Sequence, residues 1–452
     1  MSQYLCAIIV VMGADAMVIC VHAADNHNLE EPAVFSAQGI WGDQAKTAHA
    51  YLQEDVTSDG LYRHYHFVTD AGSYDIVGDQ LMAVRLYENR VYEQLKDDSG
   101  FAQFFRSFGS SAIAPLKFGG QLITSPIETV KNSANGIDNF FDSMSASSEN
   151  KNPDRESFMG GVLGTDTARR EIATQFDVDP YTDFPPLASR LHDLAAASGI
   201  GGLSLRGVMV AIPGGAALPT VTATTTRTMV FTASSVGTAQ ALKESLRTKT
   251  AGQIVRDSRA ILAAVVRRAS VVNQFLDNNN YTPADMLVMA AAFEKIHTQD
   301  AGLLLAQCAA VKDRTHAFLC RLQAEMYAGL KNSLPFDRFV TRGSFVIMQL
   351  RDHRYLWAMP ADIYMWTADN EADVAILTHA LAEGRAPEPA QKNGKTTPVK
   401  PNLLVITGDY SALASKQLSK LKWEPARMTL VSASSHAQQS SSNQPQTDTT
   451  SK

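Results

Sequence analysis

Small and apolar residues recur at alternating steps of four and three between Phe101 and Met144. They are Gly109, Ile113, Leu116, Gly120, Ile123, Ile127, Val130, Ala134, Ile137, Phe141 and Met144. This spacing lines all of these side chains along one stripe of a helix. The run Thr124-Ser125-Pro126-Ile127-Glu128 interrupts it. Ser125 suits a cap, Pro126 the first helical position and Glu128 the reciprocal place three beyond the cap. The pattern therefore predicts two amphipathic helices, about 104–123 and 126–144, meeting at a sharp corner, with a kink at Pro115. Such a stripe must be covered by the rest of the chain, another subunit or a lipid surface. Gly109, Gly120 and Ala134 keep it narrow, which favours close approach by another backbone.

Elsewhere the periodicity changes. Residues 24–60 show little and predict an irregular lead-in. Tyr62–Thr69 and Ser73–Val77 are strand-forming runs around the turn Asp70-Ala71-Gly72, a β-hairpin. Asp79 is expected to cap a helix with Leu81, Val84, Tyr87, Glu88, Val91 and Leu95 on one face. A polar join, 145–155, follows the striped helices. Leu205–Ile212 and Ala217–Thr224 flank Pro213-Gly214-Gly215 and read as a Gly/Ala/Thr-rich hairpin. Thr238–Leu334 is helical, with Val255, Leu262, Val266, Ala269, Val272 and Leu276 on one face. It stops at Asn278-Asn279-Asn280 and restarts at Thr282-Pro283-Ala284-Asp285.

Beyond Pro335 the chain predicts a hairpin (344–350 with 355–359), a helix (369–381) and a proline-bearing linker (383–401). A strand (403–407), a helix (411–421) and a strand (428–431) complete a β-α-β order. Residues 432–452 are Ser, Gln and Thr with nothing to bury, a disordered tail. The expected fold is α+β and predominantly helical. It comprises an N-terminal β-hairpin with amphipathic helices (61–234), a central helix bundle (235–334) and a small C-terminal α/β domain (335–431).

A chain of 452 residues accommodates two or three cores. Its net charge of −6 is spread without strong blocks, which excludes an electrostatic grip on nucleic acid. The N-terminus changes the picture more. Leu5–Val21 is apolar apart from Asp15, and Val21-His22-Ala23 places small residues before Ala24. Residues 1–23 read as a cleaved signal peptide, although Met1–Tyr4 lacks the usual positive charge. An uncleaved anchor is the rival reading, but the run is shorter than the roughly 20 residues that span a bilayer. The expected location is periplasmic or secreted. Cleavage removes Cys6 and Cys20 and leaves Cys308 and Cys320. A turn at Val311-Lys312-Asp313 would fold them together in a helical hairpin and allow a disulfide; the other reading is two buried thiols in a helical core.

Metal, nucleotide and hydrolase motifs are missing from the sequence: there is no H-E-x-x-H, G-x-S-x-G, P-loop or paired C-x-x-C. No cofactor is expected. Gly199-Ile200-Gly201-Gly202 follows a helix rather than a strand and reads as close packing. His64 and His66 share a strand face without a third ligand, so they are expected to be a polar pair and not a metal site. The most distinctive wording is Val178-Asp179-Pro180-Tyr181-Thr182, between a helix ending near Phe176 and one starting at Pro185-Pro186. Here the chain resembles a group of exported bacterial proteins that carry V-D-P-Y-[ST]-x-N-P between two helices. Phe184 stands where that pattern has Asn. The resemblance implies export and brings no activity. From the residues alone, Asp179 and Asp183 are turn and cap residues.

The function expected is that of an envelope scaffold or interaction protein, with a protein partner or self-association through the stripe and peripheral membrane contact as a further option. The alternative is an enzyme acting on an envelope substrate through a site that the sequence does not connect. Membrane insertion by 195–232 ranks below both, because Arg206 and Pro213 interrupt the apolar run.

Overall fold

The computed structural model describes residues 29–96, 165–200, 243–383 and 400–428, with the backbone alone at 197–200. The predicted signal peptide, the two striped helices (104–144), the polar join at 145–155, the Gly/Ala/Thr-rich hairpin, the 383–401 linker between 384 and 399, and the C-terminal tail lie outside the described residues. Within them the fold is α+β and dominated by helix.

The first sheet is built on β4 (Arg63–Thr69). With β5 (Gly72–Val77) it forms the predicted hairpin, paired from Thr69↔Gly72 to His64↔Val77. Its other edge takes β3 (Asp55–Ser58) at one end and β2 (Ala50–Leu52) at the other, and β1 (Val34–Ser36) pairs with β3. Helix α1 (Ala37–Trp41) starts at Ser36, whose hydroxyl accepts the Gly39 N–H. Residues 34–58 are thus ordered elements rather than an irregular lead-in. Each is at most five residues long, too short for a period to show.

Along β4, Tyr65 and Phe67 point inward, while His64 and His66 lie on the half-exposed face. Helix α2 (Asp79–Leu95) covers the inner face together with α3 (Thr165–Gln175) and α4 (Pro185–Ile200). Phe67, Met82, Val91, Ile172, Leu187 and Leu191 form their common core. The residue capping α2 is Gly78, in a positive-φ conformation, and Asp79 is the first helical residue. Asp79 fails as a cap because its carboxylate is committed elsewhere, to Arg63 Nη1 at 2.5 Å and to the Tyr65 hydroxyl at 2.5 Å.

The bundle holds α5 (Ala251–Val265), α6 (Ala269–Leu276), α7 (Pro283–Ile296), α8 (Gly302–Ala309) and α9 (Arg314–Leu330). The single helix expected across 255–276 breaks at Val266–Arg268, where the backbone is extended. The break seats Val266 against Gly302, where an added Cβ would lie 3.1 Å from Val266 Cγ1. Full capping boxes start α5 (Thr250 with Gln253) and α7 (Thr282 with Asp285), the second as predicted.

The second sheet runs β12-β10-β8-β7-β6. Strands β6 (Phe336–Arg342), β7 (Phe345–Leu350) and β8 (Tyr355–Met359) form an antiparallel meander. Strands β10 (Asn402–Ile406) and β12 (Trp423–Arg427) continue it in parallel, linked through α10 (Ala368–Glu383) and α11 (Ala412–Lys420). Strand β12 lies at Trp423–Arg427, ahead of the expected strand at 428–431, which falls outside the described residues beyond Met428. Its Pro425 hides it from propensity, yet proline is tolerated on an edge strand. Edge strand β6 was not expected at all, because Asp337, Arg338 and Arg342 interleave its apolar residues.

Both faces of this sheet are covered. Trp357, Met359, Leu404 and Ile406 pack on Val374 and Leu377 of α10 and Leu418 of α11. Met348, Leu356, Ala358 and Val405 pack on the bundle. Hence β8 is buried along its whole length, as a doubly covered strand must be. One core crosses residues 334 and 335, so bundle and sheet share it. Past the ends of β8 and β10, β9 (Ile363–Tyr364) pairs in parallel with β11 (Asp409–Tyr410).

Candidate functional site

The segment 178–184 joins α3 to α4 and sits where the first sheet's helices meet the bundle. Asp179 Oδ1 accepts the Tyr181 N–H at 2.8 Å, the turn expected from Asp before Pro. Its Oδ2 accepts from the Thr282 hydroxyl at 2.9 Å, tying the turn to the cap of α7. Pro180 is buried, and the Arg169 guanidinium lies over the Tyr181 ring at 5.4 Å. The Thr182 hydroxyl donates to Glu88 Oε1 on α2 and accepts the Phe184 N–H. Phe184, in place of the Asn of the resembled pattern, is buried. Its ring is 5.1 Å from that of Tyr74 in an edge-on contact, with the Arg85 guanidinium 5.7 Å from its centre.

From this turn runs a series of ion pairs with alternating sign. Glu88 meets Arg85 at 2.5 Å, and Arg85 meets Asp183 at 2.8 Å. Asp183 meets Arg314 at 3.1 Å, and Arg314 meets Asp285 at 2.6 Å. Asp285 meets Arg321 at 3.0 Å, and Arg321 meets Glu325 at 3.0 Å. Asp183 is therefore a bridge between two arginines and not a helix cap. The side chain of Asp285 is 1% exposed and those of Arg85 and Glu88 are 9% and 4% exposed, so these charges persist only because each has an opposite neighbour. Of these residues the sequence singled out Asp183 and Asp285 as caps and Glu88 as part of a helix face. A signal for the rest was present: Arg85 stands three residues before Glu88 of the predicted helix face, and Arg314, Arg321 and Glu325 lie on one side of α9.

Electrostatics differ along the series. Burial raises the Glu88 carboxyl despite Arg85, and raises Glu325 despite Arg321. Burial also opposes ionisation of Asp183, but Arg85 and Arg314 hold its carboxyl below the usual range. Asp179 is pushed from 3.8 up to about 7, first by burial and then by the Asp285 carboxylate. A raised acid keeps its proton in the fold after the unfolded chain has lost it. Its stabilising share is full below the unfolded value and is lost as pH climbs from about 4 to about 7. Asp179→Asn is accordingly expected to flatten part of the fall in urea midpoint across that window and to match or exceed the wild type at pH 7. Parallel midpoint-against-pH curves for the two proteins would refute this.

A second concentration of buried polar groups lies at the carboxyl ends of β8 and β10. Asp362, just past β8, accepts the Arg63 N–H at 2.9 Å through Oδ2 and the Asp79 N–H at 3.0 Å through Oδ1. It thereby supplies the acceptor for α2 that Gly78 lacks. Burial, then the Asp79 carboxylate, raises its pKa well above the ordinary range. The Leu61 carbonyl accepts from Asp362 N and Ile363 N, and the Gly60 carbonyl accepts from Met365 N and Asn370 Nδ2. Glu30 Oε2 accepts from Trp366 N at 2.6 Å and from the hydroxyl of Ser411, the cap of α11, at 2.5 Å.

The remaining candidates resolve simply. His64 Nε2 bonds Asp59 at 3.1 Å, and His66 Nδ1 bonds its cross-strand partner Asp75 at 2.7 Å, so each histidine has its own carboxylate. Ligand atoms of His49, Asp70 and Glu93 lie within 4.8 Å of one another. The Lys96 ammonium already sits among them, 3.0 Å from Asp70 and 3.6 Å from Glu93. Cys308, on α8, and Cys320, on α9, are free, buried thiols. No helix among the described residues is long and apolar enough to cross a membrane.

No family model matches the chain, and neither the curated proteins nor the solved structures contain a match.

Proposed function

We propose that this chain is an exported envelope protein that works by holding partners or copies of itself. The observation supporting this most is what fills the strand ends of the second sheet. In open α/β sheets the crevice beyond the carboxyl ends of parallel strands is where ligands bind. Here Gly60, Leu61, Arg63, Asp79 and Glu30 of the same chain occupy its hydrogen-bonding positions beyond β8 and β10. The position is spent on joining the N-terminal sheet to the C-terminal one, which suits a rigid platform. The stripe Ile113, Leu116, Ile123, Ile127, Val130, Ile137, Phe141 and Met144 is the surface proposed to meet the partner.

A photo-crosslinking residue at Ile127 or Ile137 of the full chain, expressed in a bacterium with two membranes, is expected to capture a discrete species. The same residue at Asp138 is not, and periplasmic protein is expected to begin at Ala24. A chain that stays monomeric and crosslinks nowhere would overturn the assembly reading; a mature protein starting at Met1 in the cytosol would overturn the location.

One observation favours an enzyme as the second reading. Asp179, with its carboxyl near 7 beside a cluster of arginines and carboxylates, has the character of a proton-transferring group.

A further inference from the structure

Three elements end at one corner of the first sheet. His49 lies in the tight turn leading into β2, where the Thr47 hydroxyl accepts the Ala50 N–H at 3.1 Å and the Thr47 N–H reaches the Ala50 carbonyl at 2.8 Å. The β2–β4 ladder pairs Ala50 with Thr69, so the next residues outward, His49 and Asp70, stand opposite each other. The Asp70 N–H donates to the His49 carbonyl at 3.1 Å and holds that register. Glu93 comes from the last turn of α2. The side chains converge: His49 Nδ1 is 2.9 Å from Asp70 Oδ2 and 3.9 Å from Glu93 Oε2. A tetrahedral zinc ion with bonds of about 2.1 Å sets its ligand atoms about 3.4 Å apart, and the two distances straddle that value.

Two further observations point to a cation here. The Lys96 ammonium lies 3.0 Å from Asp70 Oδ2 and 3.6 Å from Glu93 Oε2, the same two oxygens that face His49. One ammonium between two carboxylates leaves a negative charge over, whereas a divalent ion matches both. The other Glu93 oxygen, Oε1, is buried without a hydrogen-bond partner among the described residues. Such an atom costs stability unless something positive reaches it, and an ion on the Glu93 carboxylate does so.

We propose that His49, Asp70 and Glu93 bind a divalent ion of the zinc class, which displaces the Lys96 ammonium and keeps its remaining position open to water. One imidazole with two carboxylates suits zinc, while calcium and magnesium take oxygen donors throughout. The Lys96 side chain is 39% exposed on a flexible stem, so its head turns to solvent as the ion arrives.

The test is calorimetric titration of the purified, metal-stripped full chain with zinc, beside His49→Ala, Asp70→Asn and Lys96→Met. One zinc ion at this site is expected, with no comparable binding of magnesium or calcium. His49→Ala and Asp70→Asn should each weaken it by about 100-fold or more, beyond the loss caused by a residue that only supports a ligand. Lys96→Met should bind zinc more tightly than the wild type, because the competing ammonium is gone. His49 and Asp70 are half-exposed, so circular dichroism is expected to report unchanged folds. Zinc binding that survives both ligand substitutions would place the ion elsewhere and overturn the site. A wild type that binds no zinc would overturn it too, as would a Lys96→Met variant that binds no more tightly. The Lys96→Met arm reports on the site even where a ligand variant fails to fold.

Discussion

Asp285→Ala is expected to destabilise the protein by about 3 kcal/mol, the scale of breaking a buried ion pair. Asp285 is the most buried carboxylate of the ion-pair series and meets Arg314 through Oδ2 and Arg321 through Oδ1. Removing it leaves two guanidinium groups short of a partner, although Arg314 keeps Asp183 and Arg321 keeps Glu325. It also removes the acceptor of the Thr282 N–H and so half of the capping box of α7. Replacing Arg314, Asp285 and Arg321 together by apolar residues of similar volume should recover most of the loss, because desolvation offsets much of what buried ion pairs contribute. Urea unfolding at pH 7 measures both. A loss under about 1 kcal/mol for Asp285→Ala would mean that solvent reaches these charges and that the series is not structural.

Gly408→Ala should do at least as much damage by a different route. A Cβ on Gly408 would lie 1.8 Å from the Asp362 carbonyl oxygen and 2.3 Å from its carbon, both backbone atoms. Neither can swing away as a side chain would. The strands must part, breaking Gly408 N–H to Ala361 O and Asp409 N–H to Asp362 O, and with them the β9–β11 pair. A loss of about 3 kcal/mol or more is expected, or failure to accumulate folded protein. Gly39→Ala is the contrast. It lies within a helix, its Cβ would meet only Ser36 at an ordinary 3.5 Å, and it should be neutral or stabilising by up to about 1 kcal/mol. Equal thermal midpoints for the two variants would show that the close approach at Gly408 does not constrain the fold.

The sequence was legible wherever a period ran for several residues. The hairpin β4–β5, the capped start of α7 and the order β8–α10–β10–α11 all announce themselves through alternation, caps and proline. Legibility failed where elements are short or edge-bound: β1 to β3 are three or four residues each, and β6 and β12 carry charges and a proline. It failed again at the candidate site, for a reason that no window of sequence can repair. Asp179, Glu88, Asp285 and Arg321 lie on four separate segments, and their chemistry exists only once those segments pack. Reading Asp179 as a turn residue was sound, since it does close the turn at Tyr181. What stayed invisible was its second oxygen, held by Thr282 more than a hundred residues on.

The bonds from Asp362 to the start of α2 also bear on the order in which the chain can fold during synthesis. Arg63 and Asp79 leave the ribosome early, while their acceptor follows 299 and 283 residues later, and Glu30 waits still longer for Trp366 and Ser411, 336 and 381 residues downstream. Contacts of such separation form last, because loop closure precedes their reward. The N-terminal sheet therefore stays without its anchors until nearly the whole chain has been made. The last strands to arrive fasten the first.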